Sequence, residues 1–369
     1  MKTDIDLPLV RLDVIHSPLR SKLDAAWADV VDASSYVLGP PVEAFEQAWA
    51  EYCGVEHAIG VGSGTEAIEL VLRGLGIGPG DEVIVPASTF IATAAAVVGA
   101  GASPVFSDVR PGDLLLTAEA AAAAITPRTA AILPVHLYGT PVDIDDLRIL
   151  AEQHVLALVE DAAQAHGATY GGRRVGGLAT AAAFSHYPTK NLGALGDGGS
   201  ITTDDPALAS AIRKLRNHGR DTQGDERYDL VGRTGRLHAL QAAMLSIKLP
   251  HLDNWVADRQ AVVTHYDRLL PCSVTRIRSA EDRLGAPHLC VVRTPDRDRL
   301  RKALAEAGIG SGIHYPDPVP RTPAFGARLG FPVAEEAADT IASLPLWPGM
   351  TAADVERVCD VVRQTFPES

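Results

Sequence analysis

The sequence predicts an α/β protein in which a mostly parallel sheet covered by helices is followed by a smaller α/β portion. Three observations predict it. Short apolar runs alternate with helix-length segments from about residue 58 to 203, the pattern of strands joined by crossover helices. Most of those runs are continuously apolar rather than alternating, as expected of strands buried on both faces. The texture then changes near residue 250, and 369 residues suit two domains better than one.

Taken in order, the candidate strands are His57–Val61, Glu82–Val85, Pro104–Ser107, Ala130–Val135, Ala157–Glu160, Ala182–His186 and Gly199–Thr203. Between them lie helical candidates at Glu66–Leu75, Thr89–Ala100, Ala118–Ile125, Asp143–His154 and Pro206–Asn217, with Gly, Pro or Asp at most joints. A helical stretch from His238 to Leu270, interrupted at Pro250, leads into the second portion. There Val291–Arg293 and Ser311–His314 read as strands, and Asp296–Gly308, Ala334–Ala342 and Thr351–Phe366 as helices. The expected division is therefore 1–249 for a large domain with an N-terminal arm and 250–369 for a small one.

Composition narrows the function. A net charge of −13 argues against binding of nucleic acid, which needs clustered cations on its phosphates. Cys53, Cys272, Cys290 and Cys359 are too few and too irregularly spaced for a disulfide framework or a zinc site, and read as reduced thiols. The most apolar runs, Ile91–Ala102 and Ala118–Ile125, fall short of the roughly 20 residues that span a bilayer. Residues 1–20 are too charged for a signal peptide, so a cytoplasmic protein without a membrane anchor is expected.

Only six of the 33 basic residues are lysines: Lys2, Lys22, Lys190, Lys214, Lys248 and Lys302. Five read as surface lysines, Lys248 among them as a stem covering apolar helix surface. Lys190 differs. It lies in Phe184-Ser-His-Tyr-Pro-Thr-Lys-Asn-Leu-Gly-Ala-Leu-Gly-Asp-Gly-Gly199, between a strand and a glycine-rich turn. Aromatic, proline and glycine neighbours can desolvate its amine and lower its pKa for Schiff-base chemistry. Upstream, Gly62-Ser63-Gly64-Thr65 joins a strand to a helix; an ordinary N-cap and an anion site both fit there. In Leu158-Val-Glu-Asp-Ala-Ala-Gln-Ala-His166, Glu160 and Asp161 end an apolar strand, either as a solvated cap or as a buried acid holding a cation, with Gln164 and His166 in the following turn. An anion-binding helix start, a strand-end aspartate and a sequestered lysine are together what pyridoxal 5'-phosphate needs for its phosphate, ring nitrogen and aldehyde.

These segments, with Gly60–Ala67, Ile84–Ala94, Pro134–Gly139, Val159–Gly167 and Gly312–Pro316, resemble the DegT/DnrJ/EryC1/StrS sugar aminotransferases, pyridoxal-phosphate enzymes of fold type I with a seven-stranded sheet. The resemblance implies that Lys190 forms the Schiff base and shuttles the proton, and that Asp161 pairs with the ring nitrogen. It assigns the phosphate to Gly64, Thr65 and Ser185, the ring face to Phe90 and the ring hydroxyl side to Gln164. Thr234 is implied to reach the phosphate of the neighbouring subunit in a homodimer with shared sites. His186, Tyr187, Arg236, His314 and Tyr315 are implied on the substrate side. The implied reaction moves an amino group from L-glutamate to a 3- or 4-keto-6-deoxyhexose linked to a nucleotide such as dTDP, in deoxyaminosugar, antibiotic or cell-surface glycan biosynthesis. An aminotransferase of keto-cyclitols is the rival, and a non-transaminating relative that only binds the cofactor is the other class; a retained lysine argues against the dehydratases of this fold. The chain departs from the family pattern at His186, where phenylalanine is usual, at Thr234, where asparagine is common, and at Pro320 and Thr322.

Overall fold

The computed structural model describes residues 5–221, 227–278 and 283–367. Seven strands form one sheet: β1 (His57–Val61), β2 (Glu82–Pro86), β3 (Ser103–Ser107), β4 (Thr129–Ile132), β5 (Ala157–Asp161), β6 (Ala181–Ser185) and β7 (Gly199–Thr203). Their spatial order is β1-β7-β6-β5-β4-β2-β3, and β7 runs antiparallel to both of its neighbours while the other pairs are parallel.

The continuous apolar runs arise because each strand feeds two cores. Ile84, Ile132, Leu158, Ala182 and Phe184 point to one face, with Phe45, Trp49, Leu147 and Leu150. Val83, Val85, Ala131, Leu133, Val159, Ala181 and Ala183 point to the other, with Ile68, Leu70, Leu72 and Ile212. Period-two alternation thus divides each strand between two helical layers. The helices that supply these residues are α1 (Pro40–Cys53), α2 (Gly64–Gly74), α3 (Ile144–His154) and α4 (Pro206–Leu215), and α5 (Ala239–Lys248) packs beside α1.

The second portion holds the long helix Leu252–Leu269 and an antiparallel sheet of Thr275–Arg276, Cys290–Arg293 and Ile341–Leu344. Its core of Tyr266, Val292, Leu304, Trp347 and Val358 also takes in Leu7, whose backbone pairs with Ile309. Ser311–His314 is not a strand here. A single bridge joins Gly312 to Ser343, and the third strand is Ile341–Leu344, which begins where the helix Pro332–Thr340 stops and Ile341 turns extended. The helical reading of Ala334–Ala342 runs too far because pairing and burial beside Cys290–Arg293 override alanine's helix preference. Among the described residues no helix is long and apolar enough to cross a membrane, and no cluster of side chains could hold a metal ion.

Candidate active site

A cavity of about 310 Å³ opens at the C-terminal ends of the parallel strands, where an α/β sheet presents its ligand edge. It is lined by the turn after β1 (Ser63, Gly64, Thr65), by Phe90, Thr89 and Thr93 after β2, by Asp161 at the end of β5 and Gln164 beyond it, and by Ser185 at the end of β6 and Tyr187 and Lys190 beyond it. His288, His314 and Tyr315 from the second portion close it. Of the residues expected from sequence, ten therefore meet in one place: Lys190, Asp161, Gly64, Thr65, Phe90, Gln164, Ser185, Tyr187, His314 and Tyr315.

The N-cap reading of the β1–α2 turn holds, and it leaves room for the other. The Ser63 hydroxyl accepts from Glu66 N at 3.2 Å as an N-cap. This leaves the Gly64 and Thr65 amides at the open, positive end of the helix. The backbone here is close-packed. A Cβ on Gly64 would lie 2.7 Å from Ser185 Cβ, and one on Gly199 would lie 2.3 Å from the Ser63 carbonyl oxygen. Glycine is required for β6 and β7 to approach the helix start, which brings the Ser185 hydroxyl beside the open amides.

Glu160 and Asp161 alternate faces and so separate in role. Glu160 is fully buried and accepts from Gly176 N, Leu178 N and Ala179 N at 2.9–3.1 Å. It also accepts from His136 Nε2 at 3.0 Å, the donor tautomer being set by Val142 N donating to Nδ1. It is a structural clamp. Asp161 faces the cavity, 5% exposed, accepting from Thr93 Oγ1 at 2.7 Å and Ala163 N at 3.1 Å. Because the Thr93 proton goes to Asp161, the Thr89 hydroxyl donates to Thr93 across 2.8 Å. Burial raises the Asp161 pKa, opposed by the Thr93 hydrogen bond. Burial lowers that of Lys190 to about 8, against the pull of Asp161. No ion pair within 4.0 Å joins Lys190 to any described residue. A buried acid and a half-buried amine thus share one cavity, where a cationic ring nitrogen and an aldehyde would complete them. With the amide cradle beside them, the donor set fits pyridoxal phosphate.

Gln164 is 4% exposed and bridges two tyrosines: its Oε1 accepts from Tyr138 N at 2.7 Å and its Nε2 donates to Tyr315 Oη at 2.9 Å. The Tyr138 hydroxyl donates to the His314 carbonyl. Tyr315 lies 5.3 Å from Phe90, ring centre to ring centre, and His314 Nδ1 sits 2.8 Å from Ser343 Oγ. Burial, then the charge of Lys190, lower the His314 pKa to about 4, so its ring is neutral near pH 7.

Two expectations are overturned. His186 does not touch the cavity. It is fully buried against Phe45 and Trp49, donates from Nδ1 to the Leu192 carbonyl at 3.0 Å and accepts at Nε2 from Ser200 Oγ at 2.9 Å. One residue past Ser185, its side chain points to the opposite face, and burial lowers its pKa to about 4. Lys248 is not a surface lysine: it is 1% exposed. Lys22 and Lys302 are exposed, Lys214 pairs with Asp229, and Lys2 lies outside the described residues. Thr234 and Arg236 line a neighbouring cavity that shares Asp197 with the first, where Thr234 bonds His218 and Arg236 bonds Asn217. Sequence reading missed Thr93, whose spacing of four from Thr89 on a helix start was the available signal, and His288, which carried none.

The DegT/DnrJ/EryC1/StrS aminotransferase family pattern matches residues 19–363. The chain is 46% identical to dTDP-3-amino-3,4,6-trideoxy-alpha-D-glucose transaminase of Streptomyces venezuelae, over 97% of this chain and 96% of that one. It is 48% identical to the erythromycin biosynthesis sensory transduction protein EryC1 of Saccharopolyspora erythraea, over 96% and 98%. Among solved structures, S. venezuelae DesV in complex with a ketimine intermediate superposes with a TM-score of 0.95 at 45% identity, covering 98% of this chain and 99% of that one.

Proposed function

We propose that this chain, which belongs to the DegT/DnrJ/EryC1/StrS aminotransferase family, transfers an amino group from L-glutamate to the 3-keto group of a dTDP-linked deoxyhexose, with Lys190 and Asp161 as its catalytic residues. The chain is a pyridoxal-phosphate-dependent transaminase of fold type I. The observation that carries the assignment of residues is the placement of Lys190 and Asp161 in one cavity beside the open amides of Gly64 and Thr65. The 3-keto position is favoured by relatives at 46%, 41% and 38% identity whose names specify 3-amino sugars.

When bound, pyridoxal phosphate supplies an aldehyde for amines and a ring that takes up an electron pair. The rest falls to the protein. With a pKa near 8, Lys190 holds part of its population as free amine at neutral pH, able to attack a carbonyl and to carry a proton between neighbouring atoms. Asp161, kept in place by Thr93 and Ala163 N, would hold a positive ring nitrogen. The Gly64 and Thr65 amides with Ser185 take the phosphate. Phe90 and Tyr315, in contact with each other at the cavity, would flank the ring. Thr234 and Arg236, outside the main cavity, act across a two-fold axis on the partner's site, so that the working unit is a homodimer. We assign 1–249 to the large domain and 250–369 to the small one, with the segment at Leu7 packed on the latter.

The test is a panel of keto-sugar nucleotides and keto-cyclitols offered with glutamate to the purified protein. Turnover of a 3-keto dTDP-sugar, abolished by Lys190→Ala together with the imine absorbance, is expected. Turnover of none, or an imine absorbance that survives Lys190→Ala, overturns the reading.

A further inference from the structure

Lys248 is buried without an acid. Its Nζ donates to the Gly193 carbonyl at 2.7 Å and to His16 Nε2 at 2.9 Å, and no carboxylate of the described residues lies within 4.0 Å. An ammonium in such a place is costly, since desolvation is not repaid by an ion pair. Its carbonyl partner lies three residues beyond Lys190. The turn that carries Lys190 is closed by Ala194 N donating to His186 O at 2.8 Å, with Lys190 N donating to Tyr187 O inside it at 2.8 Å. It is folded tightly: a Cβ on Gly193 would lie 2.4 Å from the Pro188 carbonyl oxygen.

Three side chains fasten this turn to the protein interior, two from the turn itself and one from α5. His186 holds the Leu192 carbonyl, Lys248 holds the Gly193 carbonyl, and Asn191 Nδ2 donates to the Ala286 carbonyl at 3.0 Å. With two successive carbonyls drawn into the core, residue 190 is left facing the cavity. Removing either donor strands a buried carbonyl, and the turn must shift to rehydrate it. His16 ties the device to the N-terminal arm, because burial and the nearby Lys248 keep its ring neutral and able to accept.

We infer that Lys248 and His186 are positioning residues that fix the Lys190 turn and so hold the Lys190 amine in its desolvated site. The inference rests on Lys190 being the lysine that meets the cofactor. It turns the unusual histidine at 186 from a substrate contact into a brace, and gives this arginine-rich chain a second lysine with a task.

The experiment uses the full-length protein freed of pyridoxal phosphate. Trace acetylation of Lys190, read by mass spectrometry across a pH series, gives the titration of its amine directly and needs no turnover. In Lys248→Met the turn loosens, water reaches Lys190, and its titration moves up toward that of an ordinary lysine, cutting the free amine at neutral pH by at least about threefold. Reloaded with pyridoxal phosphate, the variant also loses its imine absorbance severalfold faster on dialysis. A folded Lys248→Met in which both readouts match the wild type overturns the inference. Should Lys248→Met fail to fold by circular dichroism, His186→Phe decides, since phenylalanine is the usual residue of the family there and fits the same aromatic surroundings. It is expected to displace the titration in the same direction, and an unmoved Lys190 overturns the inference. Lys190→Ala serves as control: imine absorbance that persists in it would refute the role of Lys190 and leave the apo titration standing as a separate result.

Discussion

At the scale of single residues, burial shifts the two titrating groups of the site toward each other and their neighbours oppose it. Thr93 donates to Asp161 and opposes the rise that burial imposes on its pKa. Thr93→Val is expected to lower kcat by about tenfold, the loss of one hydrogen bond to a charged group, with little change in fold. Asp161→Asn removes the charge itself and is expected to cost on the order of 100-fold or more in kcat, measured with saturating cofactor. The Lys190 amine gives a prediction for the cofactor-free protein. Its folded pKa, about 8, lies below the usual 10.5. Between those values the unfolded chain binds more protons than the folded one, so this group makes stability rise with pH across that window, by up to about 3 kcal/mol. Chemical denaturation of apo wild type and apo Lys190→Met at pH 7 and pH 10 checks it: the advantage of the variant at pH 7 should shrink at pH 10.

At the scale of elements, glycines set how closely backbone can approach the site. Gly199 opens β7, and only a missing Cβ lets that strand lie under the Ser63 carbonyl. Gly199→Ala is expected to push the α2 start away from Ser185 and to weaken pyridoxal phosphate binding by at least about tenfold, read by cofactor titration of the apo protein. Gly139 has φ +92°, and a Cβ there would sit 1.9 Å from the Ala286 carbonyl oxygen. The adjoining backbone is a junction. Ala286 N donates to Gly139 O and His288 N to Tyr138 O, so the 286–288 segment that brings His288 to the cavity is laced to the 138–139 turn. Gly139→Ala is therefore expected to unfasten this segment and to destabilise the protein by more than about 2 kcal/mol, measured by thermal or urea unfolding.

For the whole molecule, the outlying cavity that holds Thr234 and Arg236 bears on the proposed sharing of sites. It adjoins the first through Asp197, yet its residues do not reach Lys190 within the one chain. Mixing Lys190→Ala subunits with subunits altered at both Thr234 and Arg236 should restore part of the activity, because one site of each mixed dimer then carries an intact set. No recovery in verified heterodimers would count against sharing. The second portion contributes to the cavity as well, through His288, His314 and Tyr315, and the Gln164–Tyr315 hydrogen bond fastens it to the large sheet.

Much of this was legible in the chain alone. The sheet strands were readable because burial on both faces makes them continuous apolar runs, and Lys190, Asp161 and the Gly62–Thr65 turn because their chemistry follows from residue type and from position at strand ends. What the sequence could not determine was which way the side chains at a strand's end point. Ser185 and His186 are adjacent, yet one lines the cavity and the other braces the turn behind it. Glu160 and Asp161 divide in the same manner. Lys248 reads as one more exposed lysine until α5 packs on the Lys190 turn and closes water out. Local sequence carries periodicity and chemistry; desolvation and long-range hydrogen bonds exist only after distant segments meet, and here those decided which lysine, which histidine and which acid face the cavity.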